Sequence, residues 1–423
     1  MPPCNAEVKK MVNQAVHEVM LTCHQTKNEV LFDYLLDTCN QHNRIVPGEM
    51  VPLLLDKAAG NKKKAPLLLN ICGETGKWLC SLNEKWTPLL TKEAGEDVWE
   101  TGTLDQRKIF LKNLRKTNPA EAIVLLNAVI KSEPAEVRAG FIEILEEDLS
   151  LQDEDFLVSM LTDKSQKVKQ TVYFLLKKLV GSQINRLYLG YVLKAMRIQE
   201  ERYMLVAKKK VMVITEGVEP DQEVFLTGME KISQEKGMND QVFWLAQALE
   251  FTHPPTLARE LNMDEMDLLK LITQHAAHAV LMPYLVRAAI HFKHGPWAEK
   301  LLEMEGIHHL ELFEVLPPAV QPVFYKKLLD HNPADLVKFI CNGSYTPIAH
   351  QLAVDVMTRL KTVPYAITQF QYQQLALYFP PSMVPNLQGI MKEIGDQNGY
   401  HFMKQQCTDM IQIIELKHNL IFN

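Results

Sequence analysis

The sequence lacks the pairings and charge excess that mark several functional classes. Its seven cysteines, at positions 4, 23, 39, 72, 80, 341 and 407, are odd in number and form no C-x-x-C pair. That argues against a disulfide framework or a cysteine zinc site and suits a reducing compartment. Positive charge is not in excess: 51 acidic residues face 45 basic ones, a net charge of −6, which is the wrong balance for a general nucleic-acid binder. The lysine runs at 62–64 and 208–210 are short and read as solvated charges, not phosphate tracks. No apolar run approaches the ~20 residues of a membrane helix. The charged N-terminal stretch is followed by no apolar segment, so no signal peptide is expected. G-x-S-x-G and G-x-G-x-x-G are both missing. A cytoplasmic protein without a membrane or nucleic-acid partner is expected.

What is present is helical periodicity. Glu7 to Cys23 and Asn28 to Cys39 carry apolar residues at three- and four-residue spacing. One run, Lys210-Val-Met-Val-Ile-Thr, has strand character, but helix-prone neighbours favour a helix there. Between Asp105 and Gly181 a unit repeats at an offset of 31 residues. Its first helix aligns Leu125, Leu126, Val129 and Ile130 with Phe156, Leu157, Met160 and Leu161. Its second aligns Val137, Arg138, Phe141 and Leu145 with Val168, Lys169, Val172 and Leu176. Ser132 and Asp163 stand where they would cap the second helices, with Pro134 suited to a first turn. Short paired helices bury an apolar face only by stacking on neighbours. The fold class expected is all-α, a HEAT-like helical-repeat solenoid with further helical regions at both ends. The regions read as 1–104, 105–214 and 222–423, with Thr215 to Asp221 as linker. A looser echo, Pro333 to Ile340 and then Pro347 to Leu360, suggests another helix pair. Pro254-Pro255, Pro317-Pro318 and Pro380-Pro381 read as loops.

Two tryptophan-bearing segments carry a resemblance: Gly73-Glu-Thr-Gly-Lys-Trp-Leu and Leu82-Asn-Glu-Lys-Trp86. They resemble the G-E-R-G-R-W-L…L-N-P-x-W signature of an uncharacterised bacterial domain family of unknown function. Gln106 to Glu121, Leu149 to Phe156, Gly237-Met-Asn-Asp-Gln-Val-Phe-Trp-Leu and Pro296-Trp-Ala-Glu-Lys-Leu-Leu extend the likeness over about residues 65 to 330. Thr75, Lys77, Glu84 and Met238-Asn239 depart from it, which weakens any anion-binding role for the family's arginines. The resemblance implies gene neighbours of the MoxR-type AAA+ ATPase, von Willebrand factor A and SWIM zinc-finger kinds, and hence a protein partner. It implies no activity.

Other patterns invite chemistry. Gly73-Glu-Thr-Gly-Lys fails as a phosphate loop, since Ile71 stands where the first glycine belongs and Trp78 follows the lysine. It reads instead as a tight turn needing glycine freedom. His275, His278, His291 and His294 form two H-x-x-H pairs, and two antiparallel helices bearing them would present four imidazoles to zinc. Neither pair contains an acidic residue. Thr256 to Leu269 resembles a helix-turn-helix core, but Asp264, Glu265 and Asp267 would face phosphates with the wrong sign. The acidic group Glu146, Glu147, Asp148, Asp153, Glu154 and Asp155 lacks EF-hand spacing and reads as a charged loop. Trp78 and Trp86 read as core, packing with Leu67 to Leu69. No residue is assigned a catalytic, cofactor-binding or metal-ligating role. The leading expectation is a non-enzymatic interaction or scaffold protein. The alternative is a metal-dependent factor or enzyme using the histidine pairs.

Overall fold

The architecture follows from where helices start, stop and bury their apolar sides. The computed structural model describes residues 3–61, 64–90, 96–203, 207–234, 236–395 and 401–420. It is mostly helical, 69% of the chain, with one small two-stranded sheet. No helix among the described residues is long and apolar enough to cross a membrane. Contacts divide the chain into two units, residues 93–322 and residues 1–92 with 323–423.

In the unit 93–322, the helix Leu104–Thr117 opens with a capping box, in which Thr103 and Gln106 each accept the other's backbone N–H. Asn118 caps Pro119–Val129 and Ser165 caps Gln166–Lys178. Ala135–Glu143 and Glu154–Met160 complete the stack. Three pairs of positions 31 residues apart, Leu126 with Leu157, Phe141 with Val172 and Leu145 with Leu176, are fully buried in one core. Lys167 pairs with Glu136, one repeat away, and Arg138 pairs with Asp163 at 2.8 Å. The expected caps are displaced. Ser132 donates its hydroxyl back to Val129 O, and Pro134 is the cap residue of Ala135–Glu143. Asp163 accepts from Ser165 N, and Ser165 does the capping.

The acidic loop hides a buried ion pair. Arg115 is completely buried and holds Asp153 through two parallel hydrogen bonds of 2.8 and 2.9 Å. Its remaining N–H groups reach the carbonyls of Glu147 and Asp148 at 3.0–3.1 Å, so the guanidinium is satisfied as a buried charge must be. Glu147, by contrast, faces Lys112 and Lys116 at the surface.

The expected helix at Lys210 is a strand. Met196–Tyr203 and Ala207–Ile214 pair antiparallel, Met196 opposite Ile214 and Arg202 opposite Lys208. Val211, Val213 and Ile214 favour this state. Its partner, rich in Gln, Glu and Arg, carries no strand signal of its own, so pairing overrides local propensity. Thr215 to Asp221 is irregular and continues within this unit. Beyond it come Asp240–Glu250, Pro254–Glu260, Glu265–Gln274, His278–His291 and Gly295–Glu303. Pro254 and Pro255 begin a helix instead of lying in a loop. Trp297 is buried among these helices and donates Nε1–H to Glu265 O at 3.2 Å.

In the other unit, Gln14–Thr26, Glu29–Gln41, Val51–Gly60 and Ala65–Leu82 pack with helices from the far end of the sequence. The echo pair appears as Pro333–Ile340 and His350–Thr362. Tyr345 donates its hydroxyl to Asp37 at 2.6 Å and meets Tyr34 edge-on, with centroids 4.9 Å apart. Lys417, from His401–Asn419, donates to Tyr345 O and Leu377 O and lies over the Tyr34 ring.

Candidate functional site

The glycine-bracketed motif is a helix break. Gly73 interrupts Ala65–Leu82 at φ 62°, ψ −154°, a conformation side chains resist. The break exposes the amides of the following segment, and the Glu7 carboxylate takes them: Glu74 N at 2.9 Å and Thr75 N at 2.8 Å, with the Thr75 hydroxyl at 2.8 Å. Partial burial pushes the Glu7 carboxyl up, but these hydrogen bonds outweigh it and hold it below the usual range. The position a phosphate would need is filled by the protein's own anion. Trp78 and Trp86 are only half-buried, not core. Trp78 lies on the helical segment after the Gly73 break, and Leu67 to Leu69 lie on the segment before it. Trp86 donates Nε1–H to Asp56 at 2.9 Å. The buried tryptophans are Trp99 and Trp297.

The histidine pairs lie at opposite ends of one helix. His278–His291 is 14 residues long, which separates the pairs by about 20 Å. His275 accepts from Ala277 N, and His278 Nδ1 lies 3.0 Å from His275 O. His294 sits 2.8 Å from Glu265 and accepts from Trp297 N. The four imidazoles therefore do not converge. Among the described residues no three His, Cys, Asp or Glu side chains are grouped to hold a metal. The helix-turn-helix look-alike is a packing element: Asp264 caps Glu265–Gln274, which buries Leu268, Leu269 and Ile272.

The concave feature that sequence reading missed is a cavity of about 390 Å³ within the unit 93–322. Gln166–Lys178 supplies Phe174 and Lys177, Gln183–Ala195 supplies Tyr188, and His278–His291 supplies Tyr284 and Arg287. Asp240–Glu250 and the residue after it supply Glu250 and Phe251. Buried Asn185 joins two of these walls, donating to Lys177 O at 2.7 Å and Phe251 O at 2.8 Å. The Lys177 ammonium lies 4.3 Å from the Phe251 ring centroid. Burial pushes it down to about 8, partly offset by the field of Glu250. Glu250 itself is committed to Arg287 Nε at 2.8 Å. Among the described residues the Lys177 ammonium makes no hydrogen bond or ion pair. His291 stacks on Phe251 at 5.2 Å. Burial, aided by the charges of Lys178 and Arg287, lowers it to about 4, so it is neutral at pH 7. Tyr188 is tied to Thr227 at 2.7 Å, and burial raises it to about 12.

These features carry no catalytic constellation by which to classify the chain, and its kinship is one of sequence. The chain belongs to a family of unknown function, DUF5691, whose profile matches residues 1–421. Searches of curated proteins and of solved structures found no match.

Proposed function

We propose that the protein is a non-enzymatic interaction component, a HEAT-like helical-repeat scaffold that presents its stacked helices to another protein. The observation that carries this reading is an exposed apolar residue on each of three helices of the stack. Ile109, Val124 and Val158 are 59%, 67% and 42% exposed, each on a different helix of the stack that also contributes buried residues to the core. Exposed apolar side chains on several helices of one stack suit a recognition surface. The tryptophan segments are taken as the signature of the bacterial family they resemble. The partner is accordingly taken to be an AAA+ ATPase acting with a von Willebrand factor A protein, as that resemblance implies. The seven free cysteines, most of them buried, support a cytoplasmic setting.

The test is direct binding of the purified full chain to the purified MoxR-type ATPase from the same genome, by biolayer interferometry. Val124→Asp with Val158→Asp is expected to abolish binding while leaving the melting temperature unchanged. Failure to bind that ATPase, or binding indifferent to the double variant, would overturn the reading. The histidine alternative finds no supporting geometry, since its two pairs stand at opposite ends of one helix.

A further inference from the structure

We propose that the cavity beside Lys177 binds a small aromatic carboxylate, with Lys177 pairing the anion and the rings of Phe174, Phe251 and Tyr284 holding the aromatic body. The inference is independent of the partner-binding surface. It begins with a lysine that no carboxylate contacts directly. Lys177 emerges near the end of its helix into a space walled by aromatic rings, where its ammonium has lost much of its water. The carboxylate whose field reaches it, Glu250, is already held by Arg287, and Arg287 in turn lies over the Tyr284 ring at 4.2 Å. The cavity's other carboxylate, Glu230, is exposed to water. Lys177 is left with ring faces alone, 4.3 Å from Phe251 and 5.8 Å from Tyr188. A half-desolvated ammonium without a counter-charge is costly, and an incoming anion relieves that cost.

The sign and size of the ligand follow. Aromatic walls also attract cations, but the Phe251 and Tyr284 rings already carry the Lys177 ammonium and the Arg287 guanidinium. Of the two lining carboxylates Glu250 is bound to Arg287 and Glu230 is exposed, so a second cation is disfavoured at these rings. One uncommitted cation matches a single negative charge better than a phosphate, which calls for several donors. About 390 Å³ accommodates one or two fused rings with a short acidic arm. Asn185 fixes the backbones of both Lys177 and Phe251, so the anion partner and the stacking wall are held in place before binding. The depressed affinity of Lys177 for its proton is a consequence of the same desolvation.

Isothermal titration of the full chain with phenylacetate and indole-3-acetate tests this against phenylacetamide, indole-3-acetamide and acetate. The aromatic acids are expected to bind at least roughly tenfold more tightly than either the amides or acetate, a difference of about 1.4 kcal/mol. Lys177→Met is expected to erase the preference for acid over amide, and Lys177→Arg to retain it. Equal binding of acids and amides would overturn the proposal by showing a merely apolar cavity. So would the absence of acid binding up to about 10 mM, or unchanged acid binding in a folded Lys177→Met protein. Should Lys177→Met fail to fold, the acid-to-amide ratio in the unaltered protein and in Lys177→Arg still decides.

Discussion

The stack of the unit 93–322 and the unit that joins the two chain ends are both helical, yet they are held together over different sequence distances. In the stack, Lys167 meets Glu136 across 31 residues and Arg115 meets Asp153 across 38. In the other unit, Tyr345 meets Asp37 across 308. For an open chain, closing a loop ten times longer costs about 2 kcal/mol more. The stack can therefore assemble from neighbours, while the second unit depends on a few contacts that fasten its distant halves. Single substitutions distinguish the two modes of construction.

The largest expected effect lies in the stack. Arg115→Ala leaves Asp153 buried and unpaired and is expected to cost about 3–5 kcal/mol. Arg115→Met combined with Asp153→Leu should recover most of that, because neither charge then remains buried. Chemical denaturation of the three proteins checks this, and a double variant no better than Arg115→Ala would show that the backbone carbonyls around Arg115 matter more than the charge pair. Trp297→Ala is expected to cost a similar ~3–5 kcal/mol. Trp78→Ala, half-buried, should cost clearly less, and equal losses in thermal melts would count against the burial difference seen here.

What was legible in the sequence divides along the same line. Leu126, Leu157, Phe141 and Val172 could be paired by eye because a local period of 31 residues put them in register. Asp37 and Tyr345 share no such period, and nothing in either segment announces the other. The strand at 207–214 was misread because its partner at 196–203 looks helical, and only the pairing reveals it. Arg115 escaped notice as one basic residue among several on a surface-like helix. The cavity was invisible for a related reason: Lys177, Tyr188, Phe251 and Arg287 come from four separate segments, each ordinary by itself. Trp78 and Trp86 stood out through a motif, and a motif carries no information about burial.

At the helix break, Gly73→Ala is expected to cost about 1–3 kcal/mol. Its φ is positive, and an added Cβ would lie 2.4 Å from Glu7 Oε2. Glu7→Gln weakens the cap alone and should cost less. If the two variants melt alike, the cap and not the glycine dominates the break.

Acid should strain the unit 93–322 through His291. Its folded pKa, about 4, lies below the ordinary 6.5, so between those values the unfolded chain binds more protons. Stability from this group is complete above about pH 6.5 and is lost as pH falls toward 4, amounting to about 2 kcal/mol at pH 5. The groups that act on the ring are Lys178, Arg287, Glu250 and Glu146. His291→Phe keeps a ring against Phe251 and should flatten this part of the pH–stability curve. An unchanged acid slope would assign it to the carboxylates instead.

The smallest expected effect tests the fastening of the chain ends. Tyr345→Phe removes one hydroxyl and keeps the ring that meets Tyr34 and Tyr378. The hydroxyl donates to Asp37, and burial together with that carboxylate holds the phenol well above its usual range. Asp37 is half-buried, so water can replace the lost donor, and the cost should be about 1 kcal/mol. Tyr345→Ala removes the ring as well, which should loosen the contact between segments 1–92 and 323–423 while leaving the repeat stack protected. Hydrogen exchange reads this directly: amides of Glu29–Gln41 and His401–Asn419 should exchange faster, and those of Gln166–Lys178 should not. If protection fell equally in all three helices, the two units would unfold as one, and the contrast between near and distant fastening would have no energetic meaning.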